Sequence, residues 1–466
     1  MPSSLATVIF AVGIIGLFVL GRDRSSRPSK ALWVPVIAFL IAGSRPLSQW
    51  LDALAGHTKA AVAATPGEFV DASPVDAALS VSLIVLSLIV LSRRRRHIWN
   101  LLRQNAPILI FFSYCAISVL WSDYTFVAFK RWVKGVGDLL LVFVILSEAS
   151  PEAALKRLFS RVAFVLIPLS VLLIKYYPDL GRTYNYWTFQ PLLVGVCDNK
   201  NTLGMLCMIC GLGALWQFLA VYRNHKAVNR TGQLLAQGAL IAMIIWLLSV
   251  ADSVTALCCF IIAGGLMLVT SATRIMRRPL ALQILIISIV SFSLLFLFAD
   301  SAGWLVSALG RDSTLTGRTN IWRVVLGVSG NSWFGAGFES FWTGERLRTI
   351  WANTMNGLNE GHNGYIEVYL NLGWVGVMLL AGLIVTGYRN VIGVCRRGEA
   401  TALIKLALFV AALLYNFCEA GFREINLVWV SFLIAITFAP QKQKPVRDPA
   451  LSKVPLTHSP LREVEA

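Results

Sequence analysis

Charge is what this chain has least of. Only 14% of its 466 residues are Asp, Glu, Lys or Arg, while 56% are hydrophobic and the mean hydropathy is +0.68. A soluble domain of that length needs far more charge to cover its surface, so a soluble enzyme or binding module is excluded. Cofactor signatures are absent too. There is no His-Glu-x-x-His, no Cys/His cluster at metal-ligand spacing, no P-loop and no glycine-rich dinucleotide fingerprint. Zinc chemistry and ATP-driven work are therefore not indicated, and the expectation is no metal and no cofactor. No internal repeat stands out. The first apolar run, Leu5 to Leu20, has no basic residue before it and no clear small-residue cleavage site after it. It reads as a span, not a cleavable signal.

What the chain does have is apolar runs of about 16 to 20 residues from end to end, the length a bilayer-spanning helix needs. Thirteen spans can be placed, at about 5–20, 31–43, 77–92, 106–121, 133–147, 158–175, 202–221, 234–250, 255–270, 280–298, 365–386, 402–418 and 427–439. Spans 1, 2 and 13 are short, so the expected fold is an all-α polytopic membrane protein with about 12–13 transmembrane helices. Residues 1–298 carry the first ten spans with short loops, 299–363 form one large outer loop, 364–439 carry the last spans, and 440–466 form a basic, Pro-rich tail expected to be disordered.

The net charge of +17 could point to nucleic acid, but its distribution does not. Of the 41 Lys and Arg, 27 fall in segments read as inner, with Arg93 to Arg96 the sharpest anchor. That is the positive-inside bias of a membrane protein, and no nucleic acid is expected as partner. It puts the N-terminus outside and the tail inside. Eight cysteines are present, mostly within apolar spans. Cys207 and Cys210 spell C-x-x-C at lipid level and read as small buried residues.

The chain is organised around residues 361–376, which close the large loop and open the next span. His362 and Asn363 sit where a membrane helix begins, and free N–H groups at a helix start favour an anion. Histidine can also act as acid or base near neutral pH. Upstream, Thr316 to Val325 reads as a helix start that Thr316 or Thr319 could cap, with Ile321, Val325 and Val328 at helical spacing. Arg318 beside that start suits phosphate oxygens, although surface pairing is the plainer reading on residue type alone. Gly335 to Trp342 reads as a tight turn with an aromatic ledge, either an interfacial anchor or a platform for a sugar face. The outer face gathers Arg182, Lys200, Arg318 and His362, with Glu339, Glu360, Glu367 and Glu419 near the membrane boundary. Asp138 and Asp252, within or beside spans, are costly unless paired or hydrated. Cations collected at one bilayer surface suit a lipid diphosphate, whose leaving charge they can stabilise.

At this point the sequence resembles the O-antigen ligase and O-antigen polymerase superfamily, most closely its exopolysaccharide-polymerase branch. The superfamily pattern of His-Asn, nine residues and Gly-x-x-Gly is met by His362-Asn363 and Gly373-Trp374-Val375-Gly376. Its companions are Thr316 to Trp322, Gly335 to Trp342, Asp198 to Gly204, and Asn416 to Glu419 followed by Asn426 and Trp429. The resemblance covers about residues 110 to 440. It implies a metal-independent glycosyltransferase with a membrane glycosyltransferase C-like fold in the bacterial inner membrane, its active face periplasmic. Such an enzyme moves a glycan from undecaprenyl diphosphate to a sugar hydroxyl. By the same resemblance Arg318 binds the diphosphate and His362 acts as base or orients the pyrophosphate. Arg182, Lys200, Asn363, Glu339 and Glu419 are the candidate substrate-binding residues.

The sequence departs from the family where spans 8 and 9 meet. There it reads Asp252-Ser253-Val254, with Val254 in the place of a cation. Either Lys200 or Arg182 takes over that role, or the diphosphate is held less tightly, or this copy is impaired. Three readings remain open: a polymerase of exopolysaccharide repeat units, a ligase to lipid A core or another acceptor, and a transporter or flippase of lipid-linked sugars. A transporter would place its polar residues near the membrane centre, often in paired halves. Here they lie mainly on one face, which favours surface chemistry. The partners implied are an undecaprenyl-diphosphate-linked oligosaccharide, membrane lipids, and a flippase and chain-length regulator of the same pathway.

Overall fold

The computed structural model describes residues 1–23, 28–55, 73–184, 190–272, 275, 278–298, 314–354 and 357–439. The tail from 440, Tyr186 and Trp187, and residues 299–313 of the large loop lie outside the described residues. Each of the thirteen expected spans falls on a helix. In chain order the helices are α1 (Ser3–Leu20), α2 (Trp33–Ala42), α3 (Leu47–Leu54), α4 (Pro74–Ser92), α5 (Arg95–Gln104), α6 (Ala106–Ser118), α7 (Thr125–Leu146), α8 (Pro151–Tyr176), α9 (Pro178–Gly181), α10 (Lys200–Arg223), α11 (Arg230–Val250), α12 (Val254–Ala272), α13 (Pro279–Phe298), α14 (Thr314–Gly327), α15 (Gly344–Asn353), α16 (Gly364–Arg396), α17 (Ala402–Cys418) and α18 (Leu427–Ile436). A two-stranded antiparallel hairpin, β1 (Arg182–Tyr184) with β2 (Pro191–Leu193), is the strand structure among the described residues.

Seven of these helices (α1, α4, α8, α10, α11, α12 and α16) are each long and apolar enough to cross a bilayer alone. Two bent pairs bring the number to nine: Lys30–Ala42 with Leu47–Leu54 at 66°, and Ile98–Gln104 with Ala106–Trp121 at 83°. The bends fall at Pro46 and at Asn105 before Pro107, where proline withholds a backbone donor. The shorter apolar helices Leu280–Ser291, Ala402–Cys418 and Leu427–Ile436 account for three further spans. The remaining one, α7, carries Lys130, Arg131, Lys134 and Asp138 and starts eight residues before the expected span.

Burial separates the roles. Nearly three quarters of the apolar window of α8 and of α10 is buried, against 11% for α1 and α4. All ten residues of α18 and nearly all of α17 are buried. A helix apolar all round belongs inside the bundle, where neighbours cover every face. Short α17 and α18 are thus enclosed by longer helices, while α1 turns Val8, Val12, Ile15 and Val19 outward, as a lipid-facing helix does.

Two glycines shape the site side. Helix α16 breaks at Gly373, whose φ of 63° and ψ of −165° only glycine adopts readily. Into this break docks the segment Ser332 to Gly337. Trp374 N–H donates to the Ser332 carbonyl (2.9 Å), Ala336 N–H to Leu370 (3.0 Å) and Gly337 N–H to Asn371 (2.9 Å). A Cβ on Gly373 would lie 2.3 Å from the Trp333 backbone, and one on Gly335 would lie 2.5 Å from Asn371. The Gly-x-x-Gly and Gly-Ala-Gly signatures are therefore two halves of one backbone contact. Beneath it Ile321, Val325, Phe341, Trp342, Leu347 and Ile350 make a second small core that ties α14 and α15 to α16.

Candidate active site at the His362 cluster

The N-terminus of α16 meets the C-terminus of α17. Asn363 caps α16, its Oδ1 accepting the Tyr365 and Ile366 N–H groups at 3.0 Å each, and its Nδ2 donates to the Phe417 carbonyl (3.1 Å). Gly364 N–H donates to the Glu419 carbonyl and Glu367 N–H to that of Asn363. All four N–H groups of the first turn are thereby satisfied within the protein. The expectation that they wait for an anion is corrected: the helix start holds the loop, and side chains are left to meet the ligand. Asn363, expected to bind substrate, is buried, with its Oδ1 and one Nδ2 hydrogen bond given to this joint.

His362, immediately before the cap, has a left-handed φ of 49°. Its Nδ1 lies 3.0 Å from Glu360 Oε1 and 3.3 Å from Glu419 Oε2. Burial alone lowers the pKa of the imidazole, but hydrogen bonds and charge from Glu360 and Glu419 outweigh it and raise it to about 9. His362 is therefore an imidazolium at neutral pH, suited to hold an anion and not to take a proton. Of the two roles left open for it, that charge favours the orienting one. Nε2 meets no hydrogen-bond partner among the described residues.

Arg318 stands at the start of α14 and reaches the same joint. Nη1 donates to the Cys418 carbonyl, and Nη2 pairs with Glu419 Oε1 at 3.0 Å. Asn201 Nδ2, from the first turn of α10, donates to the same carboxylate oxygen (3.3 Å). Glu419 thus gathers α10, α14 and α16 at the end of α17. Ile321 and Val325 are buried and Val328 half-buried at the expected helical spacing, whereas the Thr316 and Thr319 side chains lie outside the described residues.

The charge network continues through Glu339, Glu360 and Glu367 to Arg423, which sequence reasoning did not single out. Arg423, in the turn between α17 and α18, pairs with Glu360 Oε2 (3.5 Å) and approaches Glu339 Oε2 (3.9 Å). Despite burial, its pKa is raised by Glu339, Glu424, Glu360 and Glu367. Burial would raise the carboxyl of Glu360, but His362 and Arg423 hold it below its ordinary value, so it is ionised. Glu339 shows the opposite balance: burial and the nearby Glu424 push it up to about 8 against the pull of Arg423. Arg131 donates to the Glu339 carbonyl, in a residue whose own φ is 48°. Glu367 accepts from Gly361 N–H and from Trp342 Nε1 at 2.9 Å, which fixes the loop under His362. The available signal was an Arg-Glu pair set between two stretches otherwise almost free of charge.

Lys200 and Arg182 divide. Lys200 precedes Asn201 and pairs with Asp252 at 2.9 Å across the α11–α12 turn, so it stands at the edge of the cluster. Arg182 gives Nε and Nη2 to the Ile174 carbonyl (3.1 and 2.9 Å), and among the described residues it has no hydrogen bond or ion pair to the cluster. Val254, the first residue of α12, is 39% exposed. Asp138 is paired, its Oδ2 accepting the Ile425 N–H at 2.8 Å.

A cavity of about 670 Å³ opens beside the cluster, lined in part by Glu360, Arg423, Glu424, Asp138, Lys134 and Asp198. One Glu424 carboxylate oxygen is buried with no partner among the described residues. By donor type, Glu360, His362 and Glu419 could hold a divalent ion, their ligand atoms lying within 4.8 Å of one another. The carboxylates, however, already face Arg318 and Arg423, so such an ion would sit between two guanidiniums.

Comparison with known proteins bears on this region. Residues 237–381 match the family model described as O-antigen ligase. That stretch runs from α11 through Arg318 and His362 past the break in α16, and stops before Glu419 and Arg423. The chain is also similar to the exopolysaccharide production protein ExoQ of Rhizobium meliloti (strain 1021), at 23% identity over 291 residues. The similarity spans 60% of this chain and 64% of that protein.

Proposed function

We propose that this chain is a member of the O-antigen ligase and polymerase family, on its exopolysaccharide side, and that it polymerises lipid-linked repeat units of an exopolysaccharide at the periplasmic face of the bacterial inner membrane. The observation that carries the reading is the placement of His362 Nδ1 3.0 Å from Glu360 and 3.3 Å from Glu419, beside Arg318. In this reading Arg318 and the Nε2 side of His362 take the diphosphate of a polyprenyl-linked glycan. Lys200 adds charge at the rim, since its ion pair with Asp252 is exposed and an exposed pair is easily given up.

An acceptor sugar enters the cavity that Glu360 lines. Its hydroxyl proton passes to the ionised Glu360 carboxylate as the oxygen attacks the anomeric carbon of the donor. The bond from that carbon to the phosphate oxygen breaks, and its electron pair leaves with the polyprenyl diphosphate. Arg318 and His362 stabilise the charge that develops there, the work a metal ion does elsewhere. Lengthening of a lipid-linked chain would then need a flippase to supply donor and a regulator to set length.

The test uses purified protein and a lipid-diphosphate repeat unit alone, with EDTA, read as product length. A ladder of longer lipid-linked glycans is expected, and its loss by about 10²- to 10³-fold in Arg318→Gln or His362→Gln. No ladder, but transfer once a lipid A core acceptor is added, would make the protein a ligase. Normal ladders in both variants would sink the site.

A further inference from the structure

At the opposite end of the bundle a second polar cavity is built, unrelated to the His362 cluster. Sixteen residues of α10 separate Asn201 from Gln217, about 24 Å of helix. Around Gln217 lies a cavity of about 350 Å³, where the ends of α1, α2, α8, α10 and α11 come together. Four cations line it: Arg22, Lys156, Arg157 and Arg161. Against them stand Asp23, whose carbonyl accepts from Arg157 at 2.8 Å, and Glu152, paired with Lys156 at 2.6 Å. Positive charge is thus in excess.

Two buried atoms there have no partner among the described residues, Arg161 Nη1 and Gln237 Oε1. One is a donor on a cation and the other an acceptor. The Arg161 guanidinium is held 4.2 Å from the Trp33 ring, so it is positioned although Nη1 is unused. Gln237 Nε2 leans on Gln217 Oε1 (3.5 Å), which Ser160 also reaches (2.9 Å), so the carbonyl end of Gln237 is the free one. An unmet donor and an unmet acceptor in one buried cavity call for a ligand with both an anionic oxygen and a hydroxyl.

The cavity does not end in water. It shares Phe18 and Arg22 with a second space of about 670 Å³, lined also by Ile15, Val19, Val228 and Asn229. Ile15 and Val19 are exposed on the outer, lipid-facing side of α1, and Val228 is exposed in the connection before α11. A basic cleft that continues into an apolar groove on the lipid side matches an amphipathic anion.

We propose that this cavity binds one anionic glycerophospholipid with a hydroxyl-bearing head group, its phosphate on Arg22, Lys156 and Arg161, its head-group hydroxyl on Gln237, and an acyl chain in the groove of Ile15, Val19 and Val228. The ligand is shared with the bilayer itself, and its site lies in the leaflet opposite the His362 cluster. Basic pockets between helices at a membrane surface are suited to such head groups. A zwitterionic lipid fits poorly, because its ammonium would face four cations.

The test is native mass spectrometry of the full-length protein in detergent with an equimolar mixture of phosphatidylglycerol and phosphatidylcholine, followed by titration. At least tenfold preferential retention of one phosphatidylglycerol is expected. Arg161→Gln should abolish the preference. So should Arg22→Glu, which changes an exposed residue outside the helices and leaves folding intact. Val19→Trp should block the groove and weaken the lipid about tenfold, while leaving weak binding of glycerol 3-phosphate unchanged. Equal retention of the two lipids, or an unchanged preference in Arg22→Glu, would overturn the proposal. Glycerol 3-phosphate competing as well as a short-chain phosphatidylglycerol would also overturn it, since the groove would then contribute nothing. The readout does not depend on glycan transfer, so the two proposals fail separately.

Discussion

His362 owes its charge to two carboxylates sharing one ring nitrogen, and that has a consequence in pH. Its folded pKa of about 9 lies above the ordinary 6.5. The charged form's contribution to stability is therefore fully present below pH 6.5 and is lost as pH rises through about 9. If the imidazolium holds the diphosphate, kcat/KM should stay level through neutrality and fall above pH 9. In His362→Gln that alkaline limb should disappear from a rate already lower by about two to three orders of magnitude. A rate that instead rose between pH 6 and 8 would mark His362 as a base that must first lose its proton. Val254 offers a second test. It is exposed, and its neighbour Asp252 already holds Lys200, so a cation placed there meets no packing constraint. Val254→Lys is expected to fold normally and to lower KM for the lipid donor a few-fold with kcat unchanged; unaltered KM would show that the turn lies away from the diphosphate. At this scale residue type and position told enough to name His362, Arg318 and Glu419, which the structure brings into one network. They did not tell that Arg182 turns back to Ile174, or that Asn363 spends its amide on a cap, because both outcomes are set by neighbours distant in sequence.

Among the elements, the apolar spans were legible because length and hydrophobicity alone decide what a bilayer accepts. The break in α16 was not, since Gly373 looks like any glycine in a membrane helix until the Ser332 to Gly337 segment is seen docked against it. Nor were α15 or the β1–β2 hairpin, whose short polar sequences carry little periodicity. The contrast between two glycines of α16 measures what the break is worth. Gly373 has a left-handed φ and no room for a Cβ, whereas a Cβ on Gly382 meets nothing within 4 Å. Gly373→Ala should lower the melting temperature in detergent markedly and disorder the loop under His362. Gly382→Ala should be neutral or stabilise by about 0.5–1 kcal/mol, as alanine for glycine does inside a helix. Equal melting temperatures for the two variants would mean that the docked segment adds nothing to the fold.

For the whole molecule the question is which end faces which compartment. Gly21 to Asp23 and Val221, from the basic segments 21–30 and 221–232, line the Arg161 cavity, and the His362 cluster lies at the other end of the bundle. If the charge bias puts the first end in the cytoplasm, the second faces outside. The proposed reaction consumes its polyprenyl-linked donor on that outer side, so chemistry and topology must agree or the proposed function fails. Exposed positions at each end make the agreement measurable. Ala352 lies on α15 in the loop that carries the cluster, and His225 lies just beyond α10 at the other end. With the exposed Cys258 replaced by Ser, Ala352→Cys should react with a membrane-impermeant maleimide in right-side-out vesicles, and His225→Cys only after the vesicles are opened. The reverse pattern would put Arg318 and His362 in the cytoplasm. A transferase acting there would have to use its lipid-linked donor before export, and the periplasmic polymerase would have to be abandoned even if the residues of the site proved catalytic.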